Sequence, residues 1–311
     1  MRYYKSMQSL IGHTPIVKIS NMGAKEGVNI YAKLELWNPS GSVKDRTGSY
    51  MLREAEKNGI LRPGNTIVMG TAGNTGLGIA FAALNKGYHI IFVVPTKFSE
   101  EKQTLMRALG ADIINTPREE GMLGAAKKAE EIKESIDGAV SLDQFKDQSN
   151  PRAHYETTGP EIYEDLDGQI DYLVAGAGSG GTFSGIMRYL KEKNPEIKGI
   201  LADPEGSLLG GGEHHDYDIE GIGAEFVADT MDLSLMDEAV KVNDKEAFSA
   251  TQALARNEGI FAGSSSGAAM AAALKIADRI KQGNIVAVFP DRGDRYFSSN
   301  LYTRYTSVLT H

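Results

Sequence analysis

The sequence predicts an α/β fold of two domains, each with a mostly parallel sheet flanked by helices. Short β-branched runs alternate with stretches of helical periodicity along the chain, which is typical of βαβ units. Two glycine-rich turns, at 70–76 and 176–182, each follow a predicted strand and precede a predicted helix. The length of 311 residues suits roughly two domains of ordinary size.

The elements follow in order along the chain. Strands are predicted at 30–34, 66–69, 90–94, 112–115, 172–175, 198–202 and 285–289. Helices are predicted at 45–58, 74–86, 100–109, 121–135, 151–164, 180–193, 244–257 and 266–281. The segment 205–223 is rich in glycine and acidic residues and is predicted to be a long loop, of a kind that is often functional or mobile.

Composition and charge exclude several classes of protein. The net charge is −8 with no basic run, which argues against nucleic acid or an anionic membrane as partner. The chain has no cysteine, so it carries no disulfide framework. No signal-like apolar stretch begins the chain, and runs such as 90–94 are too short to span a bilayer. We expect a soluble, cytoplasmic protein without a metal, because the adjacent His214 and His215 do not converge as helical ligands do.

Lys44 is the first candidate for chemistry. It follows Pro39-Ser40-Gly41-Ser42-Val43 at the predicted start of a helix, where the helix dipole is unfavourable to a cation. A positive environment and partial desolvation lower the pKa of a lysine and make its amine a usable nucleophile and base. Such a lysine suits a covalent bond with a carbonyl cofactor, although a solvated surface lysine is the structural alternative.

The glycine-rich turn at 176–182 predicts a phosphate site. Its glycines let the backbone approach an anion, and the following helix supplies N–H donors and a positive dipole. Gly176, Gly178 and Gly181 also match a dinucleotide fingerprint, and Asp203 follows the next strand at about the distance of a ribose-binding acid. From this turn alone an NAD-dependent oxidoreductase therefore remains an alternative.

The turn at 70–76 is rich in hydroxyl and amide groups. The hydroxyls of Thr71 and Thr75, with backbone N–H groups, can hold a carboxylate at the helix start. The side chain of Asn74 offers a hydrogen-bond donor and an acceptor, which suits contact with a phenolic oxygen beside an imine. The alternative is that Asn74 caps the N-terminus of the following helix. A simple dehydrogenase has no need for this second anion site together with Lys44.

Taken together, these motifs resemble the cysteine synthase/cystathionine β-synthase family of fold-type II pyridoxal-phosphate enzymes, which have a tryptophan synthase β-like fold. The resemblance runs through nearly the whole chain, at 10–15, 39–46, 71–76, 176–182, 220–223 and 263–267. It implies pyridoxal 5′-phosphate as cofactor and Lys44 as the lysine that forms the internal aldimine and then acts as base and acid at the substrate Cα.

The resemblance also implies roles for the other motif residues. Asn74 would contact the phenolic oxygen of the cofactor and Ser265 its pyridine nitrogen. The phosphate cup would consist of Gly178, Ser179, Gly180, Gly181 and Thr182. The substrate carboxylate would lie against Thr71, Gly73, Thr75 and Gln144, and the loop over the site would be Gly221, Ile222 and Gly223.

The hydroxyl of Ser265 favours one type of chemistry. An aspartate would keep the ring nitrogen protonated, whereas a hydroxyl leaves it nearly neutral and the ring a weaker electron sink. A weaker sink favours prompt loss of a β-leaving group, which suits elimination to an aminoacrylate followed by addition of a nucleophile. The structural alternative for Ser265 is a helix N-cap.

We therefore expect β-replacement on O-acetylserine, serine or cysteine. Sulfide would give cysteine and homocysteine would give cystathionine. Ala72 stands where cysteine synthases commonly show Ser or Asn, and Thr71–Gly76 resembles enzymes of the cystathionine type that use O-acetylserine. Asp229 or Asp232, if it faced the aminoacrylate, would shift the outcome toward a lyase that releases hydrogen sulfide from cysteine; an exposed loop acid is the structural alternative.

The resemblance finally implies an organisation for the whole molecule. Residues 40–148 would form a smaller, mobile domain with Lys44 and the Asn74 loop, and residues 1–39 and 149–311 a larger one with the phosphate cup. The smaller domain would close on substrate. The family implies a homodimer.

Overall fold

The computed structural model describes residues 1, 3–71, 73–96 and 98–305. The strands are β1 Ile16–Ile19, β2 Val28–Leu34, β3 Thr66–Gly70, β4 His89–Pro95, β5 Asp112–Thr116, β6 Tyr172–Ala175, β7 Lys198–Pro204, β8 Glu238–Val242 and β9 Gly283–Phe289. The helices are α1 Lys44–Lys57, α2 Asn74–Ala82, α3 Glu100–Ala108, α4 Gly121–Ser135, α5 Ser149–Ala153, α6 Gly159–Asp165, α7 Gly181–Lys193, α8 Asp244–Ala253 and α9 Ser264–Ala277.

The strands form two sheets. One has six strands in the order β1-β2-β9-β6-β7-β8, and the other has three in the order β3-β4-β5. Every neighbouring pair is parallel except β1 with β2, which is antiparallel. The predicted α/β class with two mostly parallel sheets is therefore confirmed.

Apolar residues cover both faces of each sheet. In the three-stranded sheet, Ile67 and Met69 face the core beneath α1 and α2, whereas Val68 faces α4. The six-stranded sheet packs one face against α8 and α9 and the other against α7. Strands covered on both faces read as continuous apolar runs, which made their positions recognisable in the sequence.

Several boundaries differ from those predicted. Strands β1 and β8 were not predicted, because each is short and a lysine interrupts its three apolar residues. Helix α2 ends four residues early, and the backbone then turns to a φ of 63° at Asn85. The predicted helices at 151–164 and 244–257 each contain a π-turn, at His154–Thr158 and Leu254–Glu258. No helix or strand lies within 205–223, as predicted.

Helices α1 and α2 cross at unusually close range. A Cβ atom on Gly78 would lie 2.2 Å from the carbonyl oxygen of Lys44, and one on Gly48 would lie 2.5 Å from the carbonyl carbon of Gly78. Only glycine fits at such a crossing. The contact fixes the start of α1 against α2, which begins at Asn74.

Candidate functional site

Lys44 is the first residue of α1, as predicted, and it is half-buried. The preceding loop is tied to the end of β9: the N–H of Val43 donates to the carbonyl of Pro290 at 2.8 Å, and Ser42 forms a β-bridge with Asp291. Burial lowers the pKa of Lys44 to about 8, and the nearby charge of Asp291 partly opposes that shift. The neutral, nucleophilic amine is thus accessible close to neutral pH.

A small cavity joins Lys44 to the predicted phosphate cup. Its wall includes Lys44, the turn 176–180, Thr182 and the loop residues Gly221 and Ile222. Gly180 has a φ of +83° and precedes α7, whose N-terminus has no side-chain cap. The first N–H groups of a 13-residue helix are therefore left for a ligand.

The loop 221–223 packs directly on the cup. The N–H of Gly223 donates to the carbonyl of Ala177 at 2.7 Å. Ile222 is buried, and a Cβ atom on Gly176 would collide with its side chain at 2.5 Å. A Cβ atom on Gly178 would lie 2.9 Å from the carbonyl oxygen of Gly221, so glycine is needed for this approach. The structure thus brings together two motifs that are far apart in the sequence.

Two side chains beneath the cup have no recognisable signal in the sequence. The amide of Asn150 donates to the hydroxyl of Ser179 at 3.0 Å. The ring of His154 lies 3.2 Å from the hydroxyl of Thr182 and 3.3 Å from that of Thr47. Burial, aided by Arg46, lowers the pKa of His154 to about 3, so the ring is neutral at pH 7. No motif in the local sequence marks these residues: Asn150 lies in α5, and His154 begins the π-turn that follows it.

The turn 70–76, which carries Asn74, faces the end of β9. The side-chain amide nitrogen of Asn74 donates to Oδ2 of Asp291 at 2.7 Å, and the side-chain oxygen of Asn74 accepts from Nη1 of Arg295 at 2.6 Å. The N-cap of α2 is Gly73, so the alternative of Asn74 as an N-cap is wrong. Asp291 and Arg295 are further residues of this region that the sequence analysis did not single out.

The predicted carboxylate site is partly assembled around this loop. The hydroxyl of Thr75 donates to Oε1 of Gln144 at 2.7 Å, which leaves the Gln144 amide nitrogen as a donor. Thr71 is buried, and nothing lies within 4 Å of a Cβ atom built on Gly73. Ala72 lies outside the described residues.

Ser265 lies in the first turn of α9 and is buried. The N-cap of this helix is Gly263, so the alternative of Ser265 as a cap is wrong. The neighbouring Ser264 accepts a hydrogen bond from the N–H of Glu220 at 3.0 Å, which ties the helix start to the loop 221–223.

The structure does not bring Asp229 and Asp232 to the wall of the Lys44 cavity. Asp229 is exposed. Asp232 caps a short 3₁₀ turn through Ser234 and pairs with Arg188 at 3.3 Å. Hydrogen bonds from Ser234 lower the pKa of Asp232, which keeps its carboxylate ionised.

Asp203 does not support a dinucleotide site either. Its side chain is buried, and Oδ2 accepts from Nζ of Lys241 at 2.6 Å and from the N–H of Gly210 at 2.9 Å. A carboxylate engaged in this way serves the packing of β7 against β8.

Comparison with known proteins shows the family of the chain. A family model described as pyridoxal-phosphate dependent enzyme matches residues 7–291. The chain belongs to this family. The O-acetylserine dependent cystathionine beta-synthase of Bacillus subtilis (strain 168) is 49% identical over 303 residues, covering 97% of this chain and 99% of that protein. A cysteine synthase of Helicobacter pylori (strain ATCC 700392 / 26695) is 48% identical, covering 97% of this chain and all of that protein.

Solved structures are similar along nearly the whole chain. A Helicobacter pylori O-acetylserine dependent cystathionine beta-synthase superposes with a TM-score of 0.92 at 46% identity and covers 97% of this chain and all of that one. A hydrogen sulfide-producing enzyme of Fusobacterium nucleatum has a TM-score of 0.91 at 38% identity, with 94% of this chain and all of that one covered.

As a member of the family, the chain is a pyridoxal-phosphate-dependent enzyme. Its residues fit that cofactor, because the uncapped start of α7 suits a phosphate and a lysine of lowered pKa lines the same cavity. Among the described residues, no group of three or more His, Asp or Glu is placed to hold a metal ion. No helix among those residues is long and apolar enough to cross a membrane.

Proposed function

We propose that this enzyme replaces the β-substituent of O-acetylserine, or of serine or cysteine, with a thiol nucleophile. Homocysteine would yield cystathionine and sulfide would yield cysteine. The observation that carries the proposal is the cavity that Lys44 shares with the uncapped N-terminus of α7. The similarity to O-acetylserine dependent cystathionine beta-synthases and to cysteine synthases supports the substrate class.

In this proposal the cup holds the phosphate and Lys44 carries the cofactor. Backbone N–H groups of 178–182 bind the phosphate oxygens, and the neutral ring of His154 supports Thr182 from below. When bound, the cofactor supplies the electron sink that weakens the bonds at the substrate Cα. Lys44 removes the proton at Cα and later returns it, a role suited to an amine with a pKa of about 8.

The remaining predicted residues orient the substrate and tune the ring. Thr71, Gly73, Thr75 and Gln144 bind the substrate carboxylate, and Thr75 fixes the orientation of the Gln144 amide. The hydroxyl of Ser265 contacts the ring nitrogen without protonating it, which favours loss of the β-leaving group. The loop Gly221, Ile222 and Gly223 excludes water from the reacting β-carbon.

We further propose that residues 40–148 close on the larger remainder of the chain by pivoting about α1, which the ion pairs of Arg46 with Glu35 and Glu161 hold to that remainder. The location would be cytoplasmic and the assembly a homodimer, and the exposed apolar side chains of Trp37, Phe261 and Phe297 are available for an interface. Sedimentation velocity of the purified protein tests the assembly, with a species of twice the mass of the chain expected.

A lyase that releases hydrogen sulfide from cysteine is the second candidate. It is favoured by the similarity to the Fusobacterium nucleatum enzyme. Against it, the acids expected to activate the second reactant are an exposed Asp229 and an Asp232 paired with Arg188. Replacing either acid with Asn tests that role, and unchanged product ratios would remove it.

A product assay tests the function. O-acetylserine, serine and cysteine are each offered with homocysteine, with sulfide or with no added nucleophile. We expect O-acetylserine with one of the two nucleophiles to react fastest, and the product names the activity. Rapid sulfide release from cysteine alone would instead establish the lyase, and no turnover with any pair would contradict β-replacement.

A further inference from the structure

Asp291 connects three loops of the candidate site. It follows β9, and its backbone forms a β-bridge with Ser42 in the loop that leads to Lys44. Its carbonyl accepts the N–H of Gly263 at the start of α9, at 3.0 Å. Its side chain accepts the amide of Asn74 at 2.7 Å. One residue therefore touches the lysine loop, the Ser265 helix and the Asn74 loop.

The side-chain amide of Asn74 lies between a carboxylate and a guanidinium. Its nitrogen faces Asp291 and its oxygen faces Nη1 of Arg295 at 2.6 Å. A carboxylate only accepts hydrogen bonds and a guanidinium only donates them. A flipped amide would place acceptor against acceptor and donor against donor. The pair therefore dictates which way the amide points.

Both partners are held in place. Asp291 is 1% exposed and Arg295 is 3% exposed. The hydroxyl of Tyr296 also donates to Oδ2 of Asp291, and Arg295 donates to the carbonyl of Ser40. Oδ1 of Asp291 is buried without a hydrogen-bond partner among the described residues, an arrangement that costs stability. A buried carboxylate kept at such a cost points to a role beyond packing.

We propose that Asp291 is a positioning residue that orients the Asn74 amide toward the cofactor. A primary amide nitrogen carries two hydrogens, and one of those on Asn74 is bound by Asp291. The second is then directed to the phenolic oxygen of the cofactor. This inference rests on the proposed function, because it takes the Asn74 contact as given. The donated hydrogen bond stabilises the deprotonated phenolic oxygen and hence the long-wavelength absorbing form of the bound cofactor.

The test uses the visible absorption of the cofactor-loaded enzyme without substrate. Asp291→Asn keeps the shape of the side chain but can donate as well as accept, so only Arg295 still orients the amide of Asn74 and the ratio of long- to short-wavelength absorbance is expected to fall. In the double variant Asp291→Asn/Arg295→Gln the two orientations become similar in energy, and we expect the ratio to fall about twofold or more. Asp294→Asn makes the same chemical change at an exposed site three residues along and is expected to leave the ratio unchanged.

A second background shows whether Asp291 acts through Asn74. In Asn74→Ala, the further change Asp291→Asn is expected to have no spectral effect. Thermal unfolding establishes that each variant is folded. Should Asp291→Asn fail to fold, Arg295→Gln replaces the donor-only group that faces the amide oxygen of Asn74, and the absorbance ratio is again expected to fall. An unchanged ratio in Asp291→Asn, or an equal change in the Asn74→Ala background, would overturn the inference. If wild-type protein shows no bound-cofactor absorption, the proposed function itself fails and the inference with it.

Discussion

At the scale of single residues, burial sets the chemistry of the site. Lys44 is half-buried and follows the loop that is hydrogen-bonded to the end of β9. Desolvation lowers the pKa of its amine to about 8. His154 is fully buried beneath the cup, and the same effect brings the pKa of its ring to about 3. One group is thereby made reactive near neutrality, while the other is made an uncharged support for Thr182.

The buried His154 predicts a dependence of stability on pH. Its folded pKa of about 3 lies below the ordinary value of 6.5, so its contribution is complete above pH 6.5 and is lost as the pH falls toward 3. The free energy of unfolding of wild-type protein should therefore fall with acidification by up to about 1.4 kcal/mol per pH unit from this group. His154→Gln should show a shallower slope than wild-type protein. Denaturant unfolding at pH 7 and pH 5 measures the slope of each, and equal slopes in the two proteins would refute this account.

The sequence pointed to some residues of the site and not to others for a physical reason. Lys44 and the two glycine-rich turns were recognisable because their chemistry depends on local backbone, a helix start or a close approach. Asp291 and Arg295 contact Asn74, and His154 contacts Thr47. In each of these pairs the two residues are more than 100 positions apart in the sequence. Such contacts arise only from the fold, so no local sequence pattern predicts them. The assigned roles of the site residues remain predictions.

At the scale of elements, the crossing of α1 and α2 sets the distance between Lys44 and Asn74. Both residues begin their helices, and Gly78 lies against the carbonyl of Lys44. The strands beneath were predicted well where they are covered on both faces. The strands β1 and β8 were missed because each is short and its apolar run is interrupted by a lysine, Lys18 or Lys241.

Gly78→Ala should disturb this crossing. The new Cβ atom would lie 2.2 Å from the Lys44 carbonyl oxygen, so the helices must separate, at a cost of about 1–3 kcal/mol. Displacement of Lys44 should also lower turnover, by up to about a hundredfold for a shift near 1 Å. Ser49→Ala, on α1 beside the crossing, serves as control with nearly wild-type values. Thermal unfolding and the turnover assay measure the effects, and a Gly78→Ala enzyme equal to the control would contradict the argument.

At the scale of the whole molecule, a buried ionic network ties α1 to the larger sheet. Arg46 is 1% exposed and pairs with Glu35, which follows β2, and with Glu161 of α6. Lys33 of β2 contacts the same Glu161 at 3.0 Å. The coupling with Arg46 lowers the pKa of Glu161 to about 2 despite the opposing effect of burial. The helix that begins with Lys44 is thus fastened to the sheet that carries the phosphate cup.

Removing the shared cation should destabilise the molecule strongly. Arg46→Met leaves the buried carboxylate of Glu35 without its main partner, and breaking such a pair costs about 3–5 kcal/mol. Arg53→Met, on the same helix with a half-exposed side chain, should cost less than about 1 kcal/mol. Urea unfolding at pH 7 compares the two. A loss in Arg46→Met no larger than that in Arg53→Met would show that the network does not anchor α1.

The measurement that tests the central claim most directly is the mapping of the cofactor on the chain. The purified, cofactor-loaded enzyme is reduced with borohydride, digested with trypsin and analysed by mass spectrometry. We expect the pyridoxyl group on Lys44 and on no other lysine, and Lys44→Ala should carry none. Attachment at another lysine, or no attachment in wild-type enzyme, would contradict the assignment of Lys44 and its cavity as the catalytic centre.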